Sequence, residues 1–99
     1  MKITAYHMWS PTCGPCRVIK PAVEDLKSEF SQIEWISVNT HEDKVGYAER
    51  YGVKVVPTIV VLVSDETGKP IFSQKHSGTD MASYYRIIRS ALRIVESKV

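Results

Sequence analysis

The chain has 99 residues, of which 43% are hydrophobic, and its 13 basic and 11 acidic side chains give a net charge of +2. This length predicts a single domain, residues 1–99, that can bury a core without disulfide staples. The nearly balanced charge offers no electrostatic basis for binding nucleic acid or an anionic membrane, so we expect neither as a partner, and we expect a monomer.

The apolar segments are too short or too interrupted for a signal peptide or a membrane span. Thr4 and His7 break the N-terminal segment, and Pro57 and Thr58 break the longest apolar run, residues 55–63. We therefore expect a cytoplasmic protein. In that reducing compartment a lone pair of cysteines favours catalysis or metal binding over a structural role.

The first half of the chain predicts a strand, a helix and a second strand. Residues 2–9 mix β-formers and aromatic residues with little polar alternation, which is typical of a strand buried on both faces. Apolar residues then recur every three or four positions from Pro15 to about Phe30, which predicts an amphipathic helix that Pro21 should kink. Residues 33–38 alternate enough to predict the second strand.

The second half predicts a short helix, a β-hairpin and a final helix. Gly52 should end the short helix, residues 65–68 should form the hairpin turn, and Thr79 or Asp80 should cap the final helix. Strand-helix-strand segments predict parallel strands, whereas the hairpin adds an antiparallel pair, so we expect one mixed sheet flanked by helices. The expected bounds are residues 43–50 for the short helix, 58–63 and 71–76 for the hairpin strands, and 81–95 for the final helix.

The only two cysteines, Cys13 and Cys16, fall where the first strand ends and the first helix begins. Unpaired backbone N–H groups and the positive end of the helix dipole favour an anion there, so a thiolate at Cys13 should be stabilised. Two sulfurs three residues apart at a helix start lie on one side. Cys16 can therefore attack a mixed disulfide that Cys13 forms with a substrate. Pro15 should stiffen this turn through its fixed φ.

Other uses of the cysteine pair are less consistent with the sequence. A structural disulfide would close a very small loop, which gives little entropic stabilisation, and a reducing compartment would disfavour it. A zinc site would need two further ligands, and His41 and His76 lack the close spacing of paired histidine ligands. Two buried core cysteines would not require a Gly-Pro between them. We therefore expect no metal and no bound organic cofactor.

The motifs around the cysteines resemble those of the thioredoxin family. Residues 9–16 are similar to the family's active-site strand and loop, with the Cys-Gly-Pro-Cys tetrapeptide intact. Four motifs in the right order are a far more specific signal than an isolated Cys-x-x-Cys. The further matches are Pro21 in the active-site helix, residues 51–58 with Pro57 at the position of the family's cis-proline, and Gly78 before the last helix.

The resemblance implies the thioredoxin fold, an α/β fold in a minimal βαβαββα form with a four-stranded mixed sheet flanked by helices. It implies a thiol-disulfide oxidoreductase that reduces protein disulfides, with Cys13 as nucleophile and Cys16 as resolving thiol. A cis-Pro57 would lie beside the cysteines, and the backbone of Val56 would pair with an extended substrate segment; an ordinary trans proline is the alternative. The other residues expected to shape the substrate surface are Trp9, Thr12, Gly14, Pro15 and Gly78.

Three positions depart from the family pattern. Thr12 replaces a tryptophan just before the first cysteine, which should alter the docking surface. His7 replaces a buried aspartate thought to accept the proton of the second cysteine, and Ser37 stands where a lysine often lies nearby. Since its ordinary pKa is about 6.5, His7 is a candidate general base for Cys16. A core histidine bonded to a backbone carbonyl is the alternative.

Several other functions remain compatible with this sequence. The chain starts at the active-site strand and is close in size to glutaredoxins, although Cys-Gly-Pro-Cys and Val-Pro-Thr fit thioredoxins better. A binding module or accessory subunit of the same fold would act independently of redox state, and an oxidase or isomerase would differ only in reduction potential. For a reductase, the electron donor should be a partner reductase or a small thiol.

Overall fold

The computed structural model describes residues 1–97 and has the predicted order of elements. A single 3₁₀ turn, Thr40–Glu42, was not predicted. Each strand end differs from its prediction by at most one residue, as expected where pairing rather than sequence pattern decides the ends. The elements are β1 (Lys2–Trp9), α1 (Gly14–Glu29), β2 (Glu34–Asn39), α2 (Tyr47–Arg50), β3 (Thr58–Ser64), β4 (Pro70–Ser77) and α3 (Met81–Ser97).

The four strands form one mixed sheet in the order β2-β1-β3-β4. β1 pairs with β2 in parallel and with β3 antiparallel, and β3 and β4 form the predicted antiparallel hairpin. Residues 3–8 of β1 are all buried, because this strand is central and both faces of the sheet are covered. The expectation of a strand buried on both faces is therefore confirmed.

The prediction of parallel strands is wrong for the connection from β2 to β3. A parallel crossover would have to return the chain along the whole sheet, about 23 Å for a seven-residue strand, and the connection through residues 40–57 does not make that return. The chain instead stays at one end of the sheet and crosses over β1. As a result, β3 starts at the end where β2 stops and runs antiparallel to β1.

The short helix α2 begins four residues later than predicted, because Asp43 caps it from outside. The Asp43 carboxylate accepts backbone N–H groups from Gly46, Tyr47 and Ala48 at 2.9 to 3.0 Å. These bonds lower the pKa of Asp43, and the bond from Ala48 has the largest effect. The prediction placed this acidic residue inside the helix, whereas its side chain satisfies the free N–H groups at the helix start.

Two hydrophobic clusters cover the two faces of the sheet. The odd-numbered side chains of β1 face α1 and α3, and the even-numbered ones face α2. The larger cluster joins Ile3 and Ala5 to apolar residues of α1 and α3, including Leu26 and Ile88, which are fully buried. The position of His7 on this odd-numbered face directs it towards α1.

The register brings three connections to the same end of the sheet. Met8 lies opposite Thr58, and Thr58 lies opposite Ser77. The β1-α1 loop, the segment before β3 and the segment after β4 therefore meet at that end, which is where the cysteines lie. Within residues 1–97, no helix is both long enough and apolar enough to cross a membrane.

Candidate active site

The cysteine pair forms a disulfide at the start of α1. Cys13 is the residue before the helix, with extended backbone (φ −90°, ψ 107°), and Cys16 lies in the first turn, with 5.2 Å between their Cα atoms. The backbone N–H of Cys16 donates to Sγ of Cys13 at 3.1 Å. The sulfur of Cys13 thus caps the helix in the way that an oxygen usually does, at a position that favours negative charge.

The segment before β3 and the end of β4 form the neighbouring part of the site. The Val56–Pro57 peptide bond is cis, as the family resemblance implied. The Thr58 hydroxyl donates to the Val55 carbonyl at 2.7 Å, and the backbone N–H of Gly78 donates to the Pro57 carbonyl at 2.9 Å. Both segments are therefore held by hydrogen bonds and lie at the end of the sheet that carries the cysteines.

A cleft of about 420 Å³ opens beside Cys16, between α1 and the ends of β1 and β2. His7 and Cys16 both line it, so the structure brings together the two residues that the sequence paired as base and resolving thiol. Thr12, Val56, Pro57 and Gly78 do not line it. The lining residues are His7, Trp9, Ser10, Pro11, Cys16, Arg17, Lys20, Glu24, Lys27 and Ser37.

His7 is buried in this cleft, with 6% of its surface exposed, and neither ring nitrogen has a hydrogen-bond partner within residues 1–97. The alternative of a core histidine bonded to a backbone carbonyl is therefore wrong. Burial, the largest cause, and the Lys27 ammonium together lower the pKa of His7 from 6.5 to about 4, against the opposing effect of Glu24. At neutral pH the imidazole is uncharged and has a free acceptor nitrogen.

Trp9 is held at the cleft by Ser37. The indole N–H of Trp9 donates to the Ser37 hydroxyl at 2.7 Å, and Ser37 lies opposite His7 in the register of the parallel strands. The sequence showed only that Ser37 is not a lysine. Its role in orienting the indole depends on the register of β1 and β2, which no local pattern specifies.

Charged residues of α1 complete the cleft and were not predicted as part of the site. Lys27 and Glu24 form an ion pair of 3.4 Å, and Lys20 lines the same wall. Their place in the site could have been predicted from the sequence, because Lys20, Glu24 and Lys27 follow Cys16 at intervals of four, four and three residues. Such residues share one helix face.

Thr12 and Gly14 are exposed beside the disulfide. Thr12 lies in the turn before α1, and a Cβ atom added at Gly14 would meet no atom of the described residues within 4 Å. Packing therefore does not require glycine at this position. The absence of side-chain bulk at Gly14 leaves the surface next to the cysteines open. No cluster of three or more His, Cys, Asp or Glu side chains in the described range is placed to hold a metal ion.

A family model described as Thioredoxin matches residues 2–86. The chain belongs to the thioredoxin family. It is 39% identical over 61 residues to thioredoxin M4, chloroplastic, of Arabidopsis thaliana. That alignment covers 61% of this chain and 31% of the Arabidopsis protein. It is 37% identical over 54 residues to thioredoxin 1 of Synechococcus elongatus, covering 54% of the chain and 50% of that protein.

The structural comparison confirms the thioredoxin fold. The crystal structure of thioredoxin f2 in complex with ferredoxin:thioredoxin reductase is similar with a TM-score of 0.74 at 24% identity, over 91% of this chain and 77% of that one. The expected four-stranded mixed sheet with flanking helices is thus confirmed as the family's fold. The sequence matches cover half or less of the length of the two thioredoxins named above.

The buried neutral state of His7 makes the protein's stability depend on pH. The folded pKa lies below the unfolded one, so the unfolded chain binds more protons between pH 6.5 and 4, and stability falls as pH falls through this range. Relative to a His7→Leu variant, the oxidised wild type should lose up to about 3 kcal/mol of unfolding free energy between pH 7 and pH 4. Denaturant unfolding at a series of pH values measures this. A difference between the two proteins that stays constant with pH would contradict the assignment.

Proposed function

We propose that this chain is a thiol-disulfide oxidoreductase that reduces protein disulfides through Cys13 and Cys16. The observation that carries the proposal is the disulfide at the start of α1, where the N–H of Cys16 points at the Cys13 sulfur. On reduction, the same N–H group and the helix dipole would stabilise a thiolate at Cys13. Membership of the thioredoxin family supports this class of reaction.

The reaction takes place in two exchange steps. In the reduced protein the Cys13 thiolate attacks a substrate disulfide, so that a mixed disulfide forms and one substrate thiolate leaves. Cys16, which loses its thiol proton as it attacks, then bonds to the Cys13 sulfur. This step closes the Cys13–Cys16 disulfide and releases the second substrate thiolate. Two electrons pass to the substrate, and an external dithiol or reductase restores the pair.

His7 is the proton acceptor for Cys16 in this proposal. Both residues line the same cleft, and the imidazole is neutral, buried and without a hydrogen-bond partner in the described range. As Cys16 attacks, an imidazole nitrogen takes the thiol proton directly or through a water molecule. Because burial disfavours the imidazolium, the proton is held only briefly and passes on to the departing substrate thiolate.

Protein substrates would dock on the surface next to the disulfide. Residues 55–57 lie just outside the ladder of β3, which begins at Thr58, so their backbone is not committed to the pairing with β1. Val55 is 59% exposed and offers an apolar contact. We propose that an extended substrate segment pairs with the backbone of Val56, bordered by Trp9, Thr12, Gly14, Pro15, Pro57 and Gly78.

The proposal also covers the electron donor, the oligomeric state and the cellular compartment. The similar thioredoxin f2 was solved in complex with a ferredoxin:thioredoxin reductase, which supports a partner reductase as donor, and a small thiol is the other option. We propose that the protein acts as a monomer in a reducing compartment. The cytoplasm stays our prediction, although the Arabidopsis relative is named as chloroplastic.

Reduction of insulin disulfides by dithiothreitol tests the function. The wild type should accelerate the reaction, and Cys13→Ser should lose the acceleration because the attacking thiolate is removed. Circular dichroism of the variant should show an unchanged fold. A wild type that fails to accelerate the reaction, or a Cys13→Ser variant as fast as the wild type, would contradict the proposal. The first result would favour a binding module that acts independently of redox state.

The role of His7 is tested by the pH profile of the same reaction. His7→Ala should slow disulfide reduction about tenfold or more at neutral pH, because positioned general bases contribute at least that much. The mixed disulfide should accumulate, and His7→Asp should restore part of the rate by supplying a carboxylate acceptor. His41→Ala, which removes an exposed histidine outside the cleft, is the matched control. An unchanged rate and pH profile in His7→Ala would end this assignment.

A further inference from the structure

We infer that Tyr84 is a positioning residue that sets the spacing between the two segments on which protein substrates dock. These are residues 55–57, before β3, and Gly78, after β4; we call them the docking segments. The inference rests on the proposed function, since it concerns how the same site receives an extended substrate. It assigns a role to a side chain that lies outside the cleft beside Cys16.

The hydroxyl group of Tyr84 reaches both docking segments. Tyr84 lies in the first turn of α3 and is 1% exposed. Its Oη donates to the Gly78 carbonyl at 2.5 Å and lies 3.4 Å from the Pro57 carbonyl. Since a hydroxyl has one proton, the shorter bond to Gly78 is the principal one, and the longer contact keeps the same oxygen beside Pro57.

The docking segments are tied to each other as well as to Tyr84. The N–H of Gly78 donates to the Pro57 carbonyl at 2.9 Å, so Gly78 is held by both its amide and its carbonyl. The Thr58 and Ser77 hydroxyls, 2.6 Å apart, join the two strands at the same point. Among these ties, the Tyr84 bond is the one that fixes the segments relative to α3.

Hydrogen bonds and ring packing fix the first turn of α3, so Tyr84 has a fixed position from which to hold the docking segments. The Asp80 carboxylate accepts the N–H of Ala82 at 3.1 Å and the hydroxyl of Ser83 at 2.8 Å, so the cap is Asp80, one of the two residues predicted for it. The ring of His76 packs edge-on against the Tyr84 ring with 5.2 Å between centroids. Burial raises the pKa of Tyr84 to about 12, so its hydroxyl stays protonated well into the alkaline range.

These contacts predict that a change at Tyr84 affects the docking of protein substrates but not the reactivity of the cysteines. The reactivity of Cys13 depends on the start of α1, which Tyr84 does not touch through any hydrogen bond in the described range. Removing the hydroxyl group leaves the Gly78 carbonyl without its donor and loosens the docking segments. An extended protein substrate needs those segments in place, whereas a small disulfide needs only access to Cys13.

The experiment compares Tyr84→Phe with Tyr85→Phe, which removes the neighbouring hydroxyl that bonds Glu29 at 3.0 Å. Tyr84→Phe should raise KM for insulin about fivefold, the effect of losing one hydrogen bond, with kcat unchanged. The rate at which reduced protein reacts with 5,5′-dithiobis(2-nitrobenzoate) should not change. Hydrogen exchange at the Gly78 amide should become faster in Tyr84→Phe only.

The outcomes separate this role from the proposed function. An unchanged KM and unchanged Gly78 exchange in Tyr84→Phe, with an active wild type, would overturn the role of Tyr84 alone. Equal losses with insulin and with the small disulfide would also overturn it, because they would indicate damage to the cysteine site. A wild type that reduces neither substrate would overturn the proposed function and this inference together.

Discussion

The backbone N–H of Cys16 donates to the sulfur of Cys13, and the rest of the site is arranged around that interaction. A helix start leaves N–H groups without partners inside the helix, and here a sulfur takes the position that a serine or aspartate oxygen usually occupies. Capping the helix and stabilising a thiolate thus both require the Cys13 sulfur to lie beside these N–H groups. The Pro15 ring suits this first turn because its missing N–H would have had no partner in the helix.

A buried histidine in place of a carboxylate changes the electrostatics behind the cysteines. A buried carboxylate would place a negative charge near the developing Cys16 thiolate, whereas neutral His7 becomes positive when it takes the proton. The transfer therefore creates an imidazolium and a thiolate of opposite charge in the same cleft. Lys27 and Glu24 form an ion pair on the α1 side of the cleft. Lys27 disfavours the positive charge on His7, and Glu24 favours it.

The periodic features could be predicted from the sequence, whereas features that depend on pairing between distant segments could not. The helix from Pro15 to Phe30 and the hairpin follow from spacing and turn residues, and the Cys-Gly-Pro-Cys motif located the site. The predicted direction of β3 was wrong because it depends on the path of the whole connection between β2 and β3, residues 40–57, which no local pattern specifies. Ser37 and Tyr84 were unrecognised because their partners, Trp9 and Gly78, are brought to them by strand register and by the packing of α3.

The order of attack by the two cysteines is the central claim, and a trapping measurement tests it most directly. Cys16→Ser lacks the resolving thiol, so after reduction and exposure to insulin it should accumulate a mixed disulfide, which mass spectrometry of peptides should place on Cys13. Cys13→Ser should trap little or none through Cys16, because the N–H group at the helix start points at the sulfur of Cys13 and so favours the thiolate there. Equal trapping by the two variants, or trapping through Cys16 alone, would contradict the account.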